Sequence, residues 1–203
     1  MTDLQREKLF DAYPDRPGTV LALAKQVLES DPQDGPVLVR FGAVLVSFGR
    51  HDEAQAVLER ALNAVPAEWR HLALSHLGDL HQSKGDFNTA SQYYQDAGKL
   101  LPDDNVYHIY RGAALARLGR LEEAEAAHRK ATECKKGCIE EAYHNLGLVL
   151  RAQGRFSEAK GCFERAIALD PGYAEAKVAL EDVTVAMQIA ADGAAGPAGD
   201  PTY

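Results

Sequence analysis

The chain has 203 residues, 46% hydrophobic and 26% charged, the balance of a folded chain with a buried core. A net charge of −8 argues against nucleic acid as the main partner, because phosphate binding needs a basic footprint. No run of eighteen apolar residues occurs and the N-terminus lacks the apolar stretch of a secretory signal, so no membrane span is expected and the cytoplasm is the expected location.

In residues 1–34 the segment Pro14-Asp15-Arg16-Pro17-Gly18 reads as a turn and Pro32 as a stop. From residue 35 onward a pattern repeats. Gly42, Gly78, Gly112 and Gly147 stand 36, 34 and 35 residues apart, and each is followed seven residues later by Gly49, Gly85, Gly119 or Gly154. Alanines come five residues further on (Ala54, Ala90, Ala124, Ala159) and again seven beyond those (Ala61, Ala97, Ala131, Ala166). A period of this length implies stacked supersecondary units rather than one globular core. The units are 35–70, 71–104, 105–139 and 140–173.

Each unit reads as two amphipathic helices. In the clearest, Glu140 to Gln153 carries Ala142, Tyr143, Leu146, Gly147 and Leu150 at helical spacing, and Gly154 ends the helix. A second helix is predicted from about Ser157, capped by Ser157-Glu158, with Ala159, Phe163, Ala166 and Ile167 on one face, until Asp170-Pro171 stops it. Gly147 and Ala159 lack bulk where the two helices cross, and large residues fill the space beside them. The extra residues near Val65–Arg70 and Lys135–Cys138 fall between helices as loops. Trp69 is either an exposed anchor or folded onto neighbouring helix ends. A last helix, 174–192, has no second helix after it, and residues 193–203 read as a flexible, Pro/Gly-rich tail.

These residues resemble the tetratricopeptide repeat, with its W-x-x-L-G-x-x-Y, A-x-x-x-F, alanine and terminal proline. The last full unit supplies Tyr143, Leu146-Gly147, Leu150, Ala159, Phe163, Ala166 and Pro171. The unit before it has His108, Arg111-Gly112, Leu115, Ala124, His128 and Ala131, with Lys136 in place of proline. Earlier units give Leu74, Leu77-Gly78, His81, Ala90, Tyr94, Ala97 and Pro102, and Leu38, Phe41-Gly42, Leu45, Ala54, Leu58, Ala61 and Pro66. The resemblance implies an all-α, right-handed superhelical α-solenoid of antiparallel helix pairs. Residues 1–34 become a degenerate capping repeat, and 174–192 a C-terminal solvating helix.

In that family the first helices line a concave groove. Carried onto this chain, the groove residues are Val39, Arg40, Ala43, His76, Asp79, Ile109, Tyr110, Arg117, His144, Asn145, Leu148 and Arg151. The mixture suits a peptide or an amphipathic helix of a partner protein. Arg40, Arg117 and Arg151 are candidate anchors for acidic groups, since guanidinium binds carboxylates bidentately. The lysine/asparagine clamp of the family's chaperone-tail binders is missing, with only Asn145 in keeping with it, so an acidic chaperone C-terminus is not the expected ligand.

An enzyme is not expected. His76, Asp79 and His81 share a helix, but His81, His108 and His128 occupy packing positions, and no phosphate loop, nucleophile elbow or zinc-protease motif occurs. Neither a cofactor nor a metal is expected. Cys134 and Cys138, with His128 and His144 the nearest further ligands, lack the paired spacing of a zinc site and read as reduced thiols. On the last helix Ala176, Leu180, Val183 and Met187 form a capping stripe, while Val178, Val185 and Ile189 form a second one almost opposite. That second stripe either tolerates water or packs against a second copy, a partner or the chain's own tail. The expected role is therefore a non-enzymatic adaptor. The alternatives are a self-assembling scaffold joined through the last helix, or the regulatory or targeting portion of a larger enzyme.

Overall fold

The computed structural model describes residues 2–194, which contain eleven α-helices, one 3-10 turn and no β-strand. They fall into two compact units that divide between Pro102 and Asp103. The first holds α1 (Thr2–Ala12), α2 (Pro17–Ser30), α3 (Gly35–Ser47), α4 (His51–Ala64), the 3-10 turn Ala67–Trp69, α5 (Arg70–Ser83) and α6 (Phe87–Leu100). The second holds α7 (Val106–Arg117), α8 (Leu121–Glu133), α9 (Ile139–Ala152), α10 (Phe156–Leu169) and α11 (Ala174–Ala194). In the first unit the helices pack as the pairs α1–α2, α3–α4 and α5–α6. In the second the pairs are α7–α8 and α9–α10, with α11 laid on α10. No described helix is long and apolar enough to cross a membrane.

The periodic glycines act as seats. A Cβ placed on Gly147 would lie 2.5 Å from the Phe163 ring, one on Gly78 2.5 Å from Tyr94, and one on Gly112 2.5 Å from His128. On Gly42 it would collide with Leu58. In the pairs α3–α4, α5–α6, α7–α8 and α9–α10, then, the missing side chain of the first helix makes room for a large side chain sixteen residues on. Phe163 and Leu58 are fully buried this way, each worth about 1.5–3 kcal/mol over the exposed state. The small alanines Ala54, Ala90, Ala124 and Ala159, all at 0% exposure, keep the second helix close enough for that side chain to reach its seat.

The second glycines end the first helices. Gly154 takes φ 77°, a left-handed conformation that a side chain would strain. Its N–H and that of Arg155 donate to the carbonyls of Arg151 and Leu150, both at 2.9 Å, closing the helix end. The second helix then begins at Phe156, one residue before the predicted start, and the predicted cap at Ser157 is not used. Arg155 precedes the helix without capping it, and its guanidinium forks onto both oxygens of Glu158 at 2.7 Å. Arg50 with Glu53 and Arg120 with Glu123 repeat this clasp. True side-chain caps occur at Asp34 and Asp86, whose carboxylates accept from the N–H groups of Val37 and Thr89.

Two predicted boundaries move, and one predicted loop is tied down. Residues 67–69, read as loop, form the 3-10 turn, and Arg70 already belongs to α5. The Lys135–Cys138 segment is knitted to the start of its own unit. Lys135 and Lys136 N–H donate to the Asp103 carbonyl at 3.2 and 3.0 Å, and Asn105 N–H donates to the Lys136 carbonyl at 3.1 Å. The last helix runs through Asp192 and Gly193 to Ala194 rather than stopping at 192. The rest of the predicted tail, residues 195–203, lies outside the described residues.

Helix α11 buries Ala176, Ala179 and Val183, the last two within the cluster that holds Leu146, Leu150 and Phe163. Glu181, thirty-four residues after Gly147, is exposed on its surface.

Candidate functional site

In the first unit the predicted groove residues have mostly found partners within the chain. Val39 is a correction: at 2% exposure it belongs to the core, because α3 is packed on its other side by the α1–α2 pair, which the repeat pattern does not represent. Ala43 is half-buried. Arg40 does not project outward as an anchor. Its guanidinium lies 4.0 Å from the centre of the Phe10 ring, 4.7 Å from Trp69 and 5.6 Å from Tyr13, and it donates to the Pro36 carbonyl at 3.3 Å. Burial among these rings pulls the Arg40 guanidinium below its ordinary range and pushes the Tyr13 phenol up. Trp69 is thus folded inward as one wall of this cage. Its second cation, Arg6, stands 5.4 Å over Phe10 and 3.1 Å from Asp34.

His76 and Asp79 do meet, Nδ1 to Oδ2 at 3.0 Å, and the Tyr94 hydroxyl donates to the other Asp79 oxygen at 2.8 Å. Asp79 therefore fixes the ring seated on Gly78. His81 lies 3.1 Å from Asp86 and stacks on Tyr93 at 5.4 Å, as a packing residue should.

In the second unit Ile109 is the other correction. It is 3% exposed, locked against Ala131 and Ala142 where α7, α8 and α9 meet. Tyr110 and Arg117 are exposed on α7, and Asn145 is half-buried on α9. His128 is buried, and desolvation lowers its pKa to about 4. Among the described residues no group of three or more His, Cys, Asp or Glu could hold a metal ion.

The remaining predicted residues come together. His144, Leu148 and Arg151 of α9 face Glu175, Val178 and Asp182 of α11 across an open cleft of about 520 Å³. That volume falls within the roughly 300–1,000 Å³ of sites that bury a ligand. His144 closes one end, with its Nδ1 3.2 Å from the Tyr173 hydroxyl and its ring edge-on to Tyr173 at 5.1 Å. Burial draws the His144 imidazole below its usual range, so it is neutral near pH 7. Arg151 and Asp182 form an ion pair at the other end. Leu148, Val178 and Ala179 make the floor.

Val178, read from the sequence as part of a separate stripe, therefore lines the same cleft as the groove residues. It is 66% exposed, and Val185 and Ile189 further along α11 are 53% and 67% exposed. Glu175, Asp182 and Tyr173 escape the sequence reading. A signal for Asp182 is present in it, because counting thirty-four residues from His144, Leu148 and Arg151 lands on Val178, Asp182 and Val185.

Two family models described as tetratricopeptide repeat match residues 14–77 and 73–106. A third, described as the N-terminal domain of the type VII (ESX-1) secretion system protein EccA1, matches residues 104–195. Tetratricopeptide repeat protein 7A of Homo sapiens is 34% identical over 118 residues, 58% of this chain and 13% of that protein. The chain spans 13–18% of the length of the first curated relatives it matches. Among solved structures, a thermophilic TPR protein of Thermus thermophilus, TTC0263, aligns with a TM-score of 0.67 at 19% identity, covering 91% of this chain and 100% of that one. The first TPR of Spaghetti (RPAP3), bound to the HSP90 peptide SRMEEVD, aligns with a TM-score of 0.55 at 25% identity, over 61% of this chain and 97% of that one. Glycine seats, paired helices, matching repeat models and TPR solenoid neighbours agree: residues 14–106 carry tetratricopeptide repeats, and the chain has the fold of a tetratricopeptide-repeat solenoid.

Proposed function

We propose that this chain is a protein-interaction adaptor that holds a peptide or helix of another protein against the first helices of its repeats, binding it without transforming it. The observation that carries this reading is the α9–α11 cleft, an open apolar floor with polar groups at both ends. Sites that hold an amphipathic segment have this composition, since apolar burial supplies affinity and a few polar groups set orientation. The peptide-bound state of the Spaghetti repeat supports the reading at family level. An acidic peptide of that kind is not the ligand we assign here. Arg40 is enclosed by aromatic rings and Arg151 already holds Asp182, so neither stands ready for a carboxylate.

The test is affinity capture with the full chain followed by mass spectrometry, comparing wild type with the double variant Leu148→Asp/Val178→Asp. Proteins retained by the wild type are expected to disappear with the variant. Equal capture of the same proteins by both would remove the cleft from the function. A second reading, in which the repeats target or regulate a larger protein, is favoured by the match of residues 104–195 to the N-terminal domain of a secretion-system protein.

A further inference from the structure

We infer that the exposed face of α11 is the selective part of this site, and that its occupant is an amphipathic helix carrying Lys or Arg at one end, not an acidic peptide and not a second copy of this chain. The inference rests on the adaptor reading and names the chemistry of the partner.

The apolar part of the argument is geometric. Val178, Val185 and Ile189 stand at i, i+7 and i+11, so they share one face of α11 and span about 16 Å at 1.5 Å per residue. All three are more than half exposed. Because Val178 also lines the cleft with Leu148, this stripe continues the cleft floor along the helix. A helix lying in a groove presents anchors at i, i+4 and i+7, an apolar edge of about 10 Å at 1.5 Å per residue, which this longer stripe accommodates.

Charge chooses among occupants. Helices α9 and α11 run in the same sense, since His144 meets Tyr173 at their starts and Arg151 meets Asp182 further along. Glu140, Glu141 and Glu175 lie at the starting end, where, after burial, their carboxylates help to push the Tyr173 phenol up. His144, neutral in its half-buried position, does not offset them. At the far end Arg151 is matched by Asp182. The starting end of the cleft is thus bordered by acids, and the one arginine lining the cleft is already engaged at the other end. A Lys or Arg on an incoming helix gains from those acids and a carboxylate is repelled. Self-association through α11 meets the same obstacle. Among its described side chains that helix carries Glu175, Glu181 and Asp182 against Lys177, so two copies laid face to face would oppose like charges.

The experiment displays a library of amphipathic helices of about fifteen residues, randomised at their charged positions, and selects on the full chain. Selected helices are expected to keep aliphatic residues at i, i+4 and i+7 and to gather Lys or Arg at one terminus. A synthetic copy of one such helix should bind Val185→Asp, and separately Glu141→Lys/Glu175→Lys, at least about tenfold more weakly than the parent. All variants should retain the parent's thermal melt, since the replaced side chains are exposed or half-buried at the surface. Selection of acidic helices, failure to select any, or unchanged affinity for Val185→Asp would overturn the inference. So would a dimer, by light scattering, that Val185→Asp converts to a monomer. If cellular proteins are captured by the parent and by Val185→Asp but lost with Leu148→Asp/Val178→Asp, the inference falls while the adaptor reading stands. If all three capture alike, both fall.

Discussion

Where α9 crosses α10, the space over Gly147 is filled by the Phe163 ring; where α7 crosses α8, the same space over Gly112 is filled by the imidazole of His128. Both rings are buried, at 0% and 2% exposure. The phenyl ring loses nothing by leaving water. The imidazole does, and its Nδ1 is buried without a hydrogen-bond partner. Burial answers by lowering the His128 pKa to about 4, so the ring stays neutral at physiological pH. Set beside Leu58 over Gly42, the comparison shows that the seat demands bulk and accepts a polar ring as long as it carries no charge. The cost of the substitution is deferred to acid.

The largest effect should come from emptying the better-filled seat. Phe163→Ala is expected to cost about 3–5 kcal/mol, the range for removing a buried aromatic. His128→Ala at pH 7 should cost clearly less, because it removes an unpaired buried nitrogen along with the ring. Urea midpoints of the two variants check this, and equal losses would mean that the seats are not equivalent.

The next effect separates the two rings by pH. The folded pKa of His128, about 4, lies below the unfolded value of 6.5. As pH falls below 6.5, the unfolded chain takes up a proton that the folded chain refuses. The stability is therefore whole above 6.5 and is lost progressively as pH falls through 4. Between pH 7 and 4 the parent should lose roughly 3 kcal/mol that His128→Phe retains. Denaturant titrations of both chains across that range give the difference directly, and parallel curves would show that His128 is not the source.

The smallest effect concerns the arginine that opens each second helix. Arg50 clasps Glu53 at the start of α4, whereas Arg155 clasps Glu158 and also reaches back 2.6 Å to Glu125 of α8. Arg155→Ala should lower the melting temperature more than Arg50→Ala at low salt, and the gap should close in about 1 M salt, where screening shortens to roughly 3 Å. A gap that survives salt would place the difference in packing instead.

The helix pairs were legible because glycine and alanine at a fixed period leave a mark that no other arrangement explains. The pairing of each glycine with the large side chain sixteen residues later, Gly147 with Phe163 among them, was present in the same period but needed coordinates to be seen. The first unit was harder. The cage around Arg40 draws Phe10 from α1, Tyr13 from the turn after it and Trp69 from an inter-helix turn, positions that the repeat pattern does not specify, so register alone set Arg40 in a groove. Val39 and Ile109 were misplaced for a related reason. A position that faces outward in an average repeat turns inward where the neighbouring helices close over it. The stripe on α11 was judged by its angle to the capping face, although the thirty-four-residue count already aligned it with α9.

Glu181 marks where growth of this architecture by duplication meets a barrier. In four preceding first helices the matching place holds a glycine that receives a bulky neighbour. In α11 a carboxylate occupies it, so one more hairpin grafted behind this helix would find its socket filled by a charge. A pair packed behind α11 in the same register would need Glu181→Gly before its large side chain could seat.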